Sequence, residues 1–326
     1  MSKLDIMSQN SLKPSQDILE AAYFISEGKI GGVPTETVYG LAANALDADA
    51  VRKIFQAKSR PFIDPLIVHV SDMAMAESVA YFSKQAKLLA EKFWPGPLTM
   101  ILPRKEIIPD IVTAAMDTVA IRMPSHKVMN ALITEAKLPI AAPSANPFGY
   151  VSPTRAEHVV EQLGDNIDFI LDGGECECGV DSTIVLMTST PKKLLRPGPI
   201  RADDIESVLG EKNYKKPKHN EAHPQAPGML KSHYSPKSTL ILFKEFSELP
   251  KSTNANIIFL KRPENPQKNH YWFSESGEAK EVQKNLFALL RSLDKVSDYG
   301  IYCQCPSYET DEWLAVVDRL ARAANK

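Results

Sequence analysis

Residues 31–41 read Gly-Gly-Val-Pro-Thr-Glu-Thr-Val-Tyr-Gly-Leu, and residues 58–61 read Lys-Ser-Arg-Pro. The first stretch places three hydroxyl groups between glycines, those of Thr35, Thr37 and Tyr39. Hydroxyl groups orient small polar molecules, and a closely spaced lysine and arginine hold phosphate or carboxylate groups. Each stretch alone also fits a structural role, because Thr and Tyr favour strands and cations favour the C-terminal end of a helix. Together they predict a site for a small, negatively charged molecule.

The composition of the chain is typical of a globular protein. Its 326 residues are enough for roughly two domains, and 44% of them are apolar. The formal net charge of −2 argues against a strong nonspecific grip on nucleic acid, although a local basic cleft is compatible with it. No apolar run is long enough for a membrane span, and residues 1–13 lack the apolar segment of a secretory signal. We therefore expect a cytoplasmic protein.

The four cysteines form two C-x-C pairs, Cys176 with Cys178 and Cys303 with Cys305. A zinc site built from the two pairs is one interpretation. Reduced cysteines in the cytosol are the other, and we prefer it because the pairs are far apart and lack the usual C-x-x-C spacing.

Residues 1–210 alternate apolar runs with helical periods, which predicts one large α/β domain. Asp47 or Asp49 is expected to cap one helix, and Ser152 with Pro153 is expected to start another. The predicted strands cover residues 30–33, 66–70, 98–102, 118–123, 139–142, 169–171 and 183–187.

Residues 211–237 show no hydrophobic period and contain four prolines, which predicts a linker. A segment of this length without regular structure is often functional, for example as a lid. Residues 238–326 alternate predicted strands and helices, which indicates a small parallel-sheet domain. That region has too few glycines for a dinucleotide-binding loop.

Two further stretches of the first domain are typical of anion-binding sites. Residues 142–146 read Ala-Pro-Ser-Ala-Asn after an apolar strand, and residues 179–183 read Gly-Val-Asp-Ser-Thr before Arg196 in Leu-Arg-Pro-Gly. Small residues and hydroxyls bind anions through backbone N–H groups, and an arginine can clamp a phosphate with two hydrogen bonds. An ordinary connection and a surface arginine explain these stretches equally well. The sequence contains no phosphate-binding P-loop motif and no H-E-x-x-H or G-x-S-x-G motif.

In combination these stretches resemble the threonylcarbamoyl-AMP synthase family, which is built on the YrdC-type domain. The resemblance covers nearly the whole chain and includes the longer, two-domain form of the family. Two departures are Asp64, where asparagine is common, and Pro147-Phe148, where small polar residues are usual. The matching motifs are Pro-Thr-Glu-Thr-Val-Tyr-Gly-Leu (34–41), Lys-x-Arg-Pro (58–61), Pro-Leu-Ile-Val-His (65–69), Ser-Ala-Asn (144–146), Ser-Pro-Thr (152–154), Asp-Ser-Thr-Ile-Val (181–185) and Arg-Pro-Gly (196–198).

The resemblance implies an α/β fold, with a YrdC-like twisted sheet around a deep cavity and a small Rossmann-like parallel domain after it. It implies that L-threonine, bicarbonate and ATP give threonylcarbamoyl-AMP and pyrophosphate. A separate transferase complex would then use the product to modify adenosine next to the tRNA anticodon, and a weak contact with RNA stays open. Mg²⁺ is expected with ATP, and no metal site formed by protein residues is expected.

The resemblance also assigns residues to each substrate. Four of them, Lys58, Arg60, Ser144 and Asn146, are expected to be catalytic. L-threonine would be bound by Thr35, His69, Arg122, Ala142 and Ser182. ATP would be bound by Lys58, Arg60, Thr118, Ser144, Asn146, Ser152, Arg196 and Tyr234.

We further hypothesise that residues 211–237 are a lid, in which Lys231, His233 and Tyr234 fold over the nucleotide. The alternatives are a noncatalytic RNA-binding module and a carbamoyl transfer step in metallocluster maturation. The second alternative would be expected to come with added domains, for which residues 1–14 leave no room.

Overall fold

The computed structural model describes residues 12–210, 226–229, 233–250, 253–307 and 310–325. Lys231 and most of the predicted linker lie outside these residues. The described chain forms two sheets, one of nine strands and one of four strands. Among the described helices, none is long and apolar enough to cross a membrane.

The first sheet is mixed, with strand order β7-β1-β2-β6-β3-β5-β4-β8-β9. Its strands are β1 (Gly31–Val33), β2 (Gly40–Asn44), β3 (Ile67–His69), β4 (Leu98–Pro103), β5 (Thr118–Arg122), β6 (Ile140–Ala141), β7 (Phe169–Ile170), β8 (Thr183–Leu186) and β9 (Lys193–Arg196). Its helices are α1 (Ile18–Ser26), α2 (Ala48–Lys58), α3 (Met73–Val79), α4 (Lys84–Phe93), α5 (Asp110–Thr113), α6 (Lys127–Ala136), α7 (Ala156–Leu163) and α8 (Ala202–Leu209).

Helix α2 delivers the Lys-x-Arg-Pro stretch to the interior. The Asp47 side chain caps its first turn by accepting hydrogen bonds from the N–H groups of Asp49 and Ala50. At the other end Ser59 adopts a left-handed conformation with φ of 52°, which ends the helix. Lys58 is therefore the last helical residue, and its side chain is buried.

The predicted start of a helix at Ser152 and Pro153 is wrong, because α7 begins at Ala156 after Arg155. The segment before it is extended. The Pro153 carbonyl accepts a hydrogen bond from the N–H of Tyr39, and the Thr154 carbonyl accepts one from Cys176. Both carbonyls are thus used by other segments and are not available to a helical turn.

The second sheet is entirely parallel, with strand order β10-β13-β11-β12. Its elements are β10 (Leu240–Phe243), β11 (Asn256–Lys261), β12 (His270–Ser274), α9 (Ala279–Asp294), β13 (Ile301–Gln304) and α10 (Leu314–Ala324).

The two halves of the chain share one apolar cluster. Val38, Val151 and Val180 of the first half pack in the same buried cluster as Phe287 and Leu320 of the second. Polar contacts join the same surfaces, since the Tyr150 hydroxyl donates to Asp294 at 2.6 Å and Lys295 pairs with Glu161 at 2.7 Å. The second half therefore lies directly against the first.

Candidate active site

A small cavity lies where the ends of β3 and β5 meet the loops before β2 and β8. Its volume is about 40 Å³. Residues from distant parts of the chain line it: Thr35, Thr37, Val38, Gly40, Arg60, Ile67, His69, Arg122, Ala142, Pro143, Ser144, Asp181, Ser182, Arg196, Pro227, Gly228, His233 and Tyr234. The hydroxyl stretch and the two anion-binding stretches named from the sequence therefore converge on one hollow.

Arg122 is held firmly at the end of β5. Its Nη2 atom lies 2.7 Å from Oε1 of Glu36, and its Nη1 donates to Oγ1 of Thr37 at 2.8 Å. Its Nε also donates to the Gly96 carbonyl at 3.3 Å. Burial raises the pKa of Glu36, but the charge and hydrogen bond of Arg122 outweigh it and hold that pKa below its ordinary value. The pair is thus charged within the protein interior.

Glu36 belongs to the site through its pair with Arg122, and it was not among the residues predicted from the sequence. The buried pair leads to a prediction about stability. Glu36→Ala is expected to lower the free energy of unfolding by about 3–5 kcal/mol, because it leaves Arg122 buried without its counter-charge. Equilibrium urea unfolding measures the change. Glu175→Ala is the matched control, since its partly exposed pair with Arg155 contributes only about 0–1 kcal/mol. Equal effects of the two variants would contradict the importance assigned to the buried pair.

Of the three hydroxyl residues, two face the cavity and one does not. The Thr35 and Thr37 hydroxyls lie 2.8 Å apart, and the Thr35 hydroxyl donates to the Val38 carbonyl at 2.6 Å. Tyr39 points away, because its hydroxyl donates to the Gly174 carbonyl at 2.8 Å. Tyr39 therefore supports the loop and is not part of the cavity wall.

His69 on β3 lies opposite Arg122 on the neighbouring parallel strand β5. It is buried, and burial together with the nearby charge of Arg122 lowers the pKa of His69 to about 3. Its imidazole is therefore neutral at physiological pH. The Ala142 N–H donates to the Ile67 carbonyl at 3.0 Å, which fixes the small residues of 142–144 beside the histidine.

Lys58 and Arg60 both point inwards, but to different partners. The Lys58 ammonium donates to the Ser144 carbonyl at 2.6 Å and also to the Asn146 carbonyl. Burial, and next the charge of Arg60, lowers the pKa of Lys58 well below its ordinary value. Arg60 lines the cavity and pairs with Asp64 at 2.9 Å. Asp64 is therefore, after Glu36, a second acidic partner of a cavity arginine, and the sequence did not indicate this role.

Four of the predicted ATP-binding residues do not line this cavity: Lys58, described above, and Asn146, Ser152 and Thr118. The Asn146 amide donates to the carbonyls of Pro147 and Tyr150 at 2.8 and 2.9 Å. Ser152 is fully buried outside the cavity wall. Thr118 begins β5 opposite Pro103, four residues before Arg122 and about 13 Å along the strand. Their assignment to ATP stays a prediction.

Arg196 joins the two stretches at 179–183 and 195–198. Its Nε donates to the Ser182 carbonyl at 3.0 Å, and its Nη2 donates to the Ser182 hydroxyl at 3.0 Å. Its Nη1 donates to the Pro227 carbonyl at 3.1 Å, which connects it to the predicted linker. The residue predicted for the nucleotide thus directly contacts a residue predicted for threonine.

His233 and Tyr234 close one side of the cavity. Tyr234 is fully buried, and its ring stacks on Phe287 of α9 with centroids 5.2 Å apart. Burial lowers the pKa of His233 to about 3, so its ring is also neutral. Gly228 lies against them, and a Cβ added there would be 2.6 Å from the Tyr234 hydroxyl.

Within the described residues, no group of three or more His, Cys, Asp or Glu side chains could hold a metal ion. The four cysteines are free thiols. The zinc interpretation of the C-x-C pairs is therefore not supported by the geometry.

The fold and the cavity together define a class of protein. A mixed α/β domain holds a cavity rich in arginine and hydroxyl groups, His233 and Tyr234 of the following segment close it, and a parallel α/β domain packs behind Tyr234. Residues 23–198 match the protein family described as "Telomere recombination", and residues 200–325 match the one described as "Threonylcarbamoyl-AMP synthase, C-terminal domain".

Related proteins agree with this assignment. The threonylcarbamoyl-AMP synthase of Pyrococcus abyssi is 40% identical over 317 residues, which cover 93% of each chain. That of Bacillus subtilis is 45% identical over 242 residues, covering 73% of this chain and 70% of the relative. The chain therefore belongs to the threonylcarbamoyl-AMP synthase family in its two-domain form.

Solved structures confirm the expected fold. The crystal structure of P. abyssi Sua5 complexed with L-threonine is 38% identical, covers 94% of both chains and superposes with a TM-score of 0.86. A Sua5 variant with adjacent histidine and tyrosine residues replaced by alanine superposes with a TM-score of 0.84. The structure of full-length HypF is 23% identical with a TM-score of 0.51, which indicates a common fold alone.

Proposed function

We propose that this protein condenses L-threonine, bicarbonate and ATP into threonylcarbamoyl-AMP and pyrophosphate, for modification of adenosine next to the tRNA anticodon. One observation carries the proposal. Arg122, Thr35 and Ser182, which suit an amino acid, line the same cavity as Arg60 and Arg196, which suit phosphates. The names of the relatives and the threonine complex of P. abyssi Sua5 support the same reaction.

The chemistry requires two bond-forming steps. The neutral threonine amine attacks the carbon of bicarbonate, the bond from that carbon to the hydroxyl group breaks, and the hydroxyl leaves as water with one N–H proton, which gives a carbamate. A carbamate oxygen then attacks the α-phosphorus of ATP in line, and the bond to pyrophosphate breaks. Such displacement depends on positioning and on neutralising charge rather than on a strong nucleophile.

The cavity residues have matching roles in this scheme. Arg122 would pair with the threonine carboxylate, and the Thr35 hydroxyl and the neutral His69 would orient the rest of the amino acid. Arg60 and Arg196 would stabilise negative charge on the phosphates, while Lys58 fixes the loop that carries Ser144. Mg²⁺ would be held by the phosphates and water, where it would supply further positive charge.

The small volume of the cavity implies movement. Pockets for small-molecule ligands usually have roughly 300–1,000 Å³, far more than the about 40 Å³ present here. Pro227, Gly228, His233 and Tyr234 form the part of the wall that comes from the segment between α8 and β10. We infer that this wall withdraws to admit ATP and then returns to exclude water from the unstable carbamate.

Four finer points belong to the same proposal. The enzyme would be a nucleotidyltransferase, because it transfers AMP from ATP to the carbamate. It would work in the cytoplasm and deliver its product to a separate tRNA-modifying transferase. Contact with the RNA itself would be weak, in line with the net charge of −2.

A pyrophosphate-release assay tests the proposal. The purified protein with ATP and Mg²⁺ should release pyrophosphate only when both L-threonine and bicarbonate are present, because the nucleophile forms from the two. Omission of each substrate is the control. Release without threonine, or tight RNA binding with no release at all, would contradict the synthase assignment; the second result would favour an RNA-binding module.

A further inference from the structure

Arg319 lies in α10 of the second domain, yet it contacts the wall of the cavity. Its side chain is fully buried. Its Nε lies 3.4 Å from Oδ2 of Asp181, and its Nη2 donates to the Pro197 carbonyl at 2.9 Å. Its Nη1 bonds to the neighbouring Asp318, which also pairs with Arg322. One guanidinium thus joins two separate segments of the first domain.

The two segments that Arg319 holds are those that carry Ser182 and Arg196. Asp181 directly precedes Ser182, and Pro197 directly follows Arg196. They are packed closely, since a Cβ on Gly198 would lie 2.4 Å from the Thr183 nitrogen. Burial raises the pKa of Asp181, but the charges of Arg196 and Arg319 outweigh it and keep that carboxylate ionised. A shift of either segment would therefore move groups that face the substrates.

Arg319 also contacts the side of the cavity formed by His233 and Tyr234. Its guanidinium carbon lies 5.2 Å from the centre of the Tyr234 ring, within the range of a cation–π interaction. The same ring also stacks on Phe287 of α9. Tyr234 therefore packs against both helices of the second domain, and Arg319 is its charged contact.

We propose that Arg319 is a positioning residue for the synthase reaction. From its place in the second domain, this side chain aligns Ser182, Arg196 and Tyr234. The inference rests on the proposed function of this cavity. It assigns the second domain a direct part in the geometry of the first, because a side chain from α10 contacts the wall residues Asp181 and Tyr234.

Arg291 provides a matched control for Arg319. It is also a buried arginine of the second domain, it lies over the Tyr150 ring at 5.1 Å, and it donates to the Val151 carbonyl. The contacts that the described residues make with it are at Tyr150 and Val151, and neither residue lines the cavity. Loss of Arg291 should therefore loosen the same interface without moving Ser182 or Arg196.

Steady-state pyrophosphate release and the thermal unfolding midpoint of full-length variants test the inference. Arg319→Met should lower kcat/KM for ATP by about a hundredfold, the loss that a shift of about 1 Å can cause. Arg319→Lys keeps the charge but lacks the planar fork, and it should lower kcat/KM by roughly tenfold while remaining folded. Arg291→Met should lower the unfolding midpoint as Arg319→Met does, with less than about a twofold change in kcat/KM.

The outcomes separate the inference from the proposed function. Wild-type kinetics in Arg319→Lys and Arg319→Met, with an active parent protein, would overturn the inference alone. An equal loss of kcat/KM in Arg291→Met would also overturn it, since general loosening would then explain the effect. A parent protein that releases no pyrophosphate would overturn the proposed function and the inference with it.

Discussion

Arg196→Ala and Lys58→Ala are each expected to lower the rate of pyrophosphate release by about a hundred- to a thousandfold, or about 3–4 kcal/mol of barrier. Arg196 faces the cavity and fixes the Ser182 hydroxyl and carbonyl, so its loss removes positive charge and misplaces a neighbour. Lys58 acts through the carbonyls of Ser144 and Asn146. Single-turnover and steady-state assays at saturating threonine measure the effect.

Matched controls lie close to both residues in the sequence. Arg201→Ala removes a half-exposed arginine that lies five residues after Arg196. Within the described residues, Arg201 forms its ion pair with the nearby Asp204 at 2.9 Å. Lys53→Ala removes a lysine of α2 whose ammonium donates to the Gly28 carbonyl at 2.7 Å. Both should retain near-wild-type rates. Near-wild-type rates in Arg196→Ala and Lys58→Ala would remove those residues from the mechanism.

The combined change of His233→Ala and Tyr234→Ala should lower turnover by at least about a hundredfold. The two rings close the cavity, and without them water reaches the carbamate and the acyl-adenylate before they react further. We therefore expect a lower yield of threonylcarbamoyl-AMP per ATP consumed, in addition to a lower rate. Chromatographic measurement of AMP, ATP and product in one reaction gives both quantities.

The second domain supplies a matched pair of residues for this experiment. His270 and Tyr271 are adjacent in β12, are partly exposed and lie outside the cavity lining. Their combined replacement by alanine should leave rate and yield near wild type. Unchanged rate and yield in the His233 and Tyr234 variant would mean that these residues do not seal the reaction.

Local patterns predicted much of the fold. Asp47 was one of two expected caps of α2, and the strand that ends at His69 follows an apolar run typical of buried strands. Strand β2 was missed, because Gly40–Asn44 is rich in small residues with little strand propensity. Those residues form a strand because β1 and β6 lie on either side, and a Cβ added at Gly40 would lie only 3.0 Å from the Ala142 side chain.

The arginines that line the cavity could be predicted from the sequence, but the acidic residues that pair with them could not. Arginines and hydroxyls in short ordered motifs indicated which groups face a substrate. The partners of these groups depend on packing between distant segments, as with Arg319 and Asp181, so spacing alone carries no signal for them. Glu36 is the exception, because its position between the two cavity-facing threonines of a buried loop could have indicated its role from the sequence.

The apolar cluster that the two halves share limits how this protein could be shortened. A chain ending at residue 210 would leave Val38, Val151 and Val180 facing water, where Phe287 and Leu320 now cover them. Each large apolar side chain uncovered weakens the fold by about 1.5–3 kcal/mol. A stable first domain on its own would therefore need polar replacements at the three valines, and it would still lack His233, Tyr234 and Arg319.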